Sequence, residues 1–277
     1  MERKRNLKLL PLFIGILALM MTTQGCGVIN KLRAKDKLNQ GVREFNKGKY
    51  DTAQQFFAQA LELSPEMANA QLFFARALNA QFDQNLTEKL GEETIQAYEN
   101  ILKNPEIEPK SIDTALALQA NVYKQLSQIS DAKSEEYKNL QHKTLIKRAE
   151  LPSASTQSKA DVYYTLGVDM WKASYDIGYP YVSKKQPIPP DVQNKMKPVI
   201  QQAHEYLQKA ISVDPNYANA YFYEKLVYIE DTKVNDASKL PDFLKKQEDS
   251  QKMYMKIQEQ QKAKAASEGT AEAGQPK

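Results

Sequence analysis

Along most of this chain the apolar residues return at three- and four-residue intervals, with charged and amide side chains between them. Leu72, Ala75 and Leu78 do so within Ala68–Gln81, and Phe57 and Ala60 in the segment before it. That period puts the apolar set on one face of an α-helix. No run of two-residue alternation is long enough to argue for a strand. The periodic segments predict helices over 32–47, 50–63, 68–81, 91–103, 112–127 and 130–150, then 160–178, 203–213, 218–232 and 241–261. Gly and Pro punctuate them at Lys47-Gly48-Lys49, Asn104-Pro105, Leu151-Pro152 and Asp214-Pro215. Phe82–Leu90 reads as an expanded turn, and Ser111 as the cap of the helix after the loop Glu106–Lys110.

Two stretches break the pattern more deeply. Ser153–Ser158 is small and polar, the best internal boundary in the chain. Gly178–Pro198 holds Pro180, Pro187, Pro189, Pro190 and Pro198, so it reads as an insertion that is not helical throughout, with room for a short helix near Asp191–Lys197. Toward the end, Pro241 suits the first position of a mostly polar helix whose apolar face is sparse. Residues 262–277 carry too little apolar surface to offset the entropy of ordering and read as a disordered tail.

One spacing recurs. Ala53, Phe57, Ala60 and Pro65 are matched by Ala203, Leu207, Ala210 and Pro215, and in part by Thr94, Tyr98 and Ile101. Ala132, Tyr137 and Leu140 follow it more loosely. Ala34–Pro65, with Gly41 eight residues into the unit, resembles one tetratricopeptide repeat, a 34-residue helix–turn–helix. Lys37, Gln40 and Glu44 stand where that repeat carries Trp, Leu and Tyr, so the match lies mainly in the second helix. Tyr163, Leu166, Gly167 and Met170 give the best first-helix match. Each of these residues has a packing reason. Gly41 and Ala53 are small where two helices cross closely, and Pro65 ends one helix before the next. The resemblance spans about residues 34–231 and implies an all-α, tetratricopeptide-like helical-hairpin solenoid of about four to five repeats with a C-terminal capping helix. Repeats one to three would occupy 32–151, repeats four and five 158–231, and the cap 241–261.

The first residues have a different character. A basic segment, MERKRNLKLL, leads into the apolar run Leu9–Met21, then Thr23-Gln24-Gly25-Cys26. That order is the order of a secretory signal peptide over 1–25. The run is shorter than the roughly 18–20 apolar residues a spanning helix needs. Gly25-Cys26 after the run resembles a bacterial lipobox, which implies lipidation at Cys26 and a tether over 26–31. Gly27, where an inner-membrane retention signal resembles Asp, implies the periplasmic face of the outer membrane in the bacterial cell envelope.

Charge and cysteine count then exclude several classes. Arg3, Lys4, Arg5 and Lys8 against Glu2 give residues 1–25 a net +3 of the chain's +4, leaving +1 for the rest. A nearly neutral chain lacks the basic footprint of a nucleic-acid binder. Cys26 is the single cysteine, so neither an internal disulfide nor a cysteine-based zinc cluster can form. His142 and His204, the two histidines, have no H-x₃-H or H-E-x-x-H partner, and Glu135-Glu136 are adjacent, so they cannot share a helix face. No catalytic constellation, metal site or cofactor is expected.

The tetratricopeptide resemblance implies a binding groove lined by the first helix of each repeat. Its candidate residues are Leu38, Val42, Phe45, Leu72, Arg76, Tyr164, Val168, Trp171, Phe222 and Leu226. The row is largely apolar and aromatic, suited to an amphipathic helix or extended peptide from an envelope protein. Trp171 with Tyr179-Pro180-Tyr181 are the expected hot spots if the groove is open. Two readings follow: a lipid-anchored scaffold without catalysis, or an accessory subunit of a glycan, lipid or cell-wall enzyme system holding a non-protein ligand near 178–198. The groove filled from within the same chain is the third expectation.

Overall fold

The computed structural model describes the backbone of residues 10–272 and the side chains of residues 27–266. The signal-peptide and lipidation readings, on residues 1–25 and on Cys26, lie outside the described side chains, as do residues 273–277 of the expected tail. The chain divides into two compact units, 1–144 and 145–277. The first holds α1 (Leu10–Asn46), α2 (Tyr50–Leu63), α3 (Ala68–Gln84), α4 (Glu88–Lys103), α5 (Pro109–Ile129) and most of α6 (Ser134–Ala149). The second holds α7 (Thr156–Val182), α8 (Pro190–Val213), α9 (Ala218–Val234) and α10 (Leu240–Glu272), with a 3₁₀ turn at Ala237–Lys239. Each unit is a stack of helical hairpins: α1 to α5 pack in sequence order, as do α7 to α10, and the alternate helices α1 and α3, α3 and α5, and α7 and α9 also touch. The architecture is all-α and tetratricopeptide-like, and α10 packs on α9 as a terminal cap.

The recurrent spacing is what builds both cores. Ala53, Phe57 and Ala60 on α2, Thr94, Tyr98 and Ile101 on α4, and Ala203, Leu207 and Ala210 on α8 are all fully buried or within 1% of it. The small residues opposite them set the helix spacing. A Cβ on Gly41 would collide with the Phe57 ring, and one on Gly167 would lie 2.6 Å from Leu207 Cγ. Close packing at such points leaves no room for a methyl group. Gly48, at φ +75°, makes the α1–α2 turn in the left-handed region where a side chain is strained.

Polar groups fasten the first unit where hydrophobic contact ends. Thr87 caps α4 by accepting from Leu90 N at 3.4 Å. Asn104 donates to Glu66 O at 3.1 Å and to Gln71 Oε1 at 2.9 Å, joining the end of α4 to the start of α3. Lys133 lies 2.9 Å from Glu88 and 2.8 Å from Glu92, and Tyr137 Oη is 3.0 Å from both carboxylates. Hydrogen bonds from Lys133, then from Tyr137, hold both carboxyls below their usual range.

Several element boundaries differ from expectation, each for a local reason. The 26–31 tether is helical, because α1 runs unbroken from Leu10. The expanded turn Phe82–Leu90 shrinks to Asn85–Thr87, since Phe82 is a fully buried α3 residue. Ser111 sits inside α5, which starts with Pro109 at its first turn. Ala132 is exposed in the turn before α6 and does not repeat the role of Ala53. The division between units falls within α6, whose Tyr137 and Leu140 join the first core. Ser155 of the polar stretch caps α7, accepting from Ser158 N at 3.0 Å.

The largest correction concerns Gly178–Pro198. It is not an insertion between two short helices. α7 continues to Val182 and α8 begins at Pro190, so only 183–189 is non-helical. Pro180 and Pro198 lie within helices at exposed positions, where water can take the hydrogen bond each proline forfeits. Pro190 occupies the first turn of α8, where a missing N–H costs nothing. α10 likewise passes the expected stop at 261 and continues to Glu272. Its Ala-, Lys- and Glu-rich sequence propagates a helix that packing on α9 has already nucleated.

Candidate protein-binding faces

In the first unit, α1 and α3 bring five of the expected groove residues together. Leu38, Val42 and Phe45 are half-buried against a cluster of Ala53, Phe57 and Ala77 that also takes Phe73 and Phe74. Leu72 is half-buried against the neighbouring core around Leu78 and Phe82. Arg76 is exposed, its guanidinium 5.8 Å from the Phe45 ring and 5.6 Å from the Phe73 ring. Phe45 meets Phe73 at 6.2 Å and Tyr50 at 5.1 Å, and Phe73 stacks on Phe57 at 5.5 Å. The face is therefore an aromatic floor bearing one cation, with its apolar residues partly used in packing. Phe73, the centre of that floor, is missing from the sequence-based set. It follows Leu72 directly, and period counting assigns only one of such neighbours to the groove.

The second unit gathers Tyr164, Val168 and Trp171 of α7 beside Phe222 and Leu226 of α9, all half-buried. Tyr223 is the hub that the sequence reading missed. Its ring lies 5.6 Å from Tyr164, 5.2 Å from Trp171 and 5.5 Å from Phe222. Tyr164 also meets Tyr217 at 5.2 Å, and burial pushes the Tyr164 phenol up to about 12. Tyr217 donates to Asp161 Oδ1 at 2.8 Å. Phe222 is covered in part by Tyr254 of α10 at 5.4 Å and by Lys225 Nζ at 4.7 Å, so the cap fills that end.

The other end stays open. Trp171, Tyr175 and Tyr179 follow one another at one-turn spacing along α7, with centroids 5.7 and 5.4 Å apart. Tyr175 is 37% exposed, Tyr179 51% and Val182 43%. Lys233 of α9 reaches 5.7 Å from the Tyr175 ring while pairing with Glu230 at 2.7 Å. Trp171 Nε1 is buried and has no hydrogen-bond acceptor. Tyr179 and Pro180 are the exposed members of the expected Tyr179-Pro180-Tyr181 hot spot. Tyr181 packs against the Met196–Ile200 core.

A second feature lies between α8, α9 and α10: a cleft of about 490 Å³ lined by His204, Tyr228, Asp231, Phe243 and Lys246 among others. Lys197, at the end of 178–198, also lines it. His204 Nε2 is 2.6 Å from Asp231 Oδ2, and its ring lies 4.5 Å from Tyr228. The sequence reading treated His204 as a lone helical residue. Asp231 is 27 positions away and no local motif connects them. His204 Nδ1 is buried without a partner, and the His204–Asp231 pair joins α8 to α9. Among the described residues no group of three or more His, Cys, Asp or Glu could hold a metal ion.

Helical hairpins packed through a recurrent second-helix spacing, with a small residue followed by a large one at Ala53 and Phe57, Thr94 and Tyr98, and Ala203 and Leu207, define a tetratricopeptide-like solenoid class. Solved structures of that kind resemble the chain. MamA has 16% identity and a TM-score of 0.48, over 81% of this chain and 94% of that one. YrrB, titled as a TPR protein with an unusual peptide-binding site, has 15% identity and a TM-score of 0.44, over 82% and 90%. The TPR2AB domain of yeast Sti1 in its pHSP90 complex has 16% identity and a TM-score of 0.32, over 79% and 98%. No family model matches the sequence, and the comparison with curated proteins gives no match.

Proposed function

We propose that the chain is a lipid-anchored scaffold that holds protein segments at a bacterial envelope membrane and performs no catalysis. The observation that carries this reading is the open aromatic row Trp171–Tyr175–Tyr179 on α7, which the protein's own packing leaves exposed at its Tyr179 end. Aromatic side chains dominate interface energetics because they bury a large area at little entropic cost. The Phe45–Phe73 floor with Arg76 gives the first unit a contact site of its own. The order basic segment, apolar run, Gly25-Cys26 supports lipidation at Cys26 and a place at the periplasmic face of the outer membrane. Among the described residues no helix is long and apolar enough to cross a membrane.

The test is photo-cross-linking in cells with a benzophenone amino acid at Tyr179, followed by mass spectrometry of the adducts. A defined envelope protein should be captured, and Trp171→Ala/Phe45→Ala should lose it while keeping its helical circular dichroism. An unchanged adduct pattern in that variant would sink the face assignment. Palmitate labelling that survives Cys26→Ser would sink the anchor.

A further inference from the structure

The start of the described side chains holds a surface that neither core uses. Val28, Ile29 and Leu32 on α1 are 61%, 51% and 65% exposed. At about 100° per residue they fall on one side of the helix. Ala34, Leu38 and Gly41 fall on the opposite side, where α1 packs on α2 through Ala60 and Phe57. Lys31 and Lys35 flank the apolar stripe on one edge and Arg33 on the other, all exposed and none in an ion pair among the described residues. Between Gly27 and Arg43 the chain carries five cations and Asp36 as its one acid. The stripe ends where Asp36, Asn39 and Arg43 take over the same side.

An exposed apolar stripe edged by basic side chains is the pattern of a helix lying in a membrane interface. Three facts select an anionic bilayer over another occupant. The cations complement the phosphates of a negatively charged lipid surface. A second copy laid on the same stripe would bring Lys31, Arg33 and Lys35 against their equivalents, and like charges repel. The stripe begins at Val28, two residues beyond the expected lipid on Cys26, which holds it at the bilayer surface. Resting on the anchored reading above, we propose that the first turns of α1 after Cys26 lie in the headgroup layer of an anionic bilayer, with Val28, Ile29 and Leu32 inserted and Lys31, Arg33 and Lys35 on lipid phosphates. The anchor then fixes the orientation of the first unit and does not merely tie it to the membrane.

The experiment uses the full chain purified from membranes and reconstituted in phosphatidylcholine vesicles with and without phosphatidylglycerol. Ile29→Cys carries an environment-sensitive fluorophore, and Thr52→Cys, exposed on α2, is the control. The label at 29 should shift to the blue and lose most of its emission to brominated-chain lipid, more so with phosphatidylglycerol, while the label at 52 should not. Lys31→Gln/Arg33→Gln/Lys35→Gln should stay on the vesicles yet lose the phosphatidylglycerol-dependent part. A blocked Cys26 with a water-exposed label at 29 overturns the surface assignment alone. A blue shift without lipid quenching, rising with protein concentration, overturns it in favour of a second copy. A wild-type chain whose Cys26 thiol accepts the dye removes the anchor and overturns both readings.

Discussion

Gly167→Ala probes the contact on which the α7–α8 hairpin rests. The added Cβ would lie 2.6 Å from Leu207 Cγ, 2.8 Å from Cδ2 and 3.2 Å from the Leu207 backbone nitrogen. Leu207 is fully buried, so its side chain has no free space to rotate into, and its nitrogen is fixed within α8. Overpacking of this kind costs typically about 1–3 kcal/mol. Replacing Gly by Ala in a helix interior returns about 1 kcal/mol of propensity. The net should be a loss of up to about 2 kcal/mol, given these two opposing effects. Trp171 is the only tryptophan and sits in the same unit, so its fluorescence during urea unfolding reports that unit. With a urea slope of about 2 kcal/mol/M, the middle of the usual range, the midpoint should fall by up to about 1 M. A double-mutant cycle isolates the contact. In a Leu207→Ala background the methyl group enters vacated space, so Gly167→Ala should be neutral or stabilising there. An equal cost in both backgrounds, or no cost in either, would refute the close-approach reasoning.

Glu224 and Lys185 give two further tests. Burial raises the Glu224 carboxyl above its usual range, outweighing the Ser250 hydroxyl that donates to it at 2.8 Å. A raised folded value means that this group's contribution is fully present below the unfolded carboxylate pKa and is lost as pH rises through the folded one. Glu224→Gln should therefore raise the melting temperature at neutral pH, by an amount that shrinks as pH falls into the carboxylate range, and a pH-independent gain would contradict the burial argument. Lys185, in the turn between α7 and α8, has φ +55°. Left-handed backbone costs a side-chain-bearing residue about 1–2 kcal/mol, part of which glycine gives back through its freer unfolded chain. Lys185→Gly should stabilise the second unit by up to about 1 kcal/mol in the same urea assay, on that balance, and a loss would show that the turn is unstrained.

The candidate groove was partly legible in the residue order. Counting from the repeat signature put Trp171, Tyr164 and Phe45 on first-helix faces, and the structure places all three there, half-buried among other aromatic rings. It did not find Tyr223, Tyr175 or Phe73, because a helix face is wider than one residue per turn and neighbouring positions share it. Nor could it separate Phe222, which the capping helix covers, from Tyr179, which is 51% exposed. That difference depends on where α10 lies.

Local chemistry was enough to specify the helical hairpins. The three-and-four spacing, the prolines after the second helices and the small residue opposite a large one act over a few residues, so they can be read in order along the chain. Contacts between residues distant in sequence could not be read that way. The Asp231 carboxylate that meets His204, the Glu88 and Glu92 carboxylates that meet Lys133, and the Tyr254 ring that closes over Phe222 come from other helices. Prolines 180 and 198 make the same point from the opposite side. Their propensity argues for a break, but each falls on an exposed helix face where water replaces the lost bond, so packing of α7 against α8 keeps both helices whole. Propensity is a matter of a few kcal/mol at single residues, and a long apolar interface exceeds it.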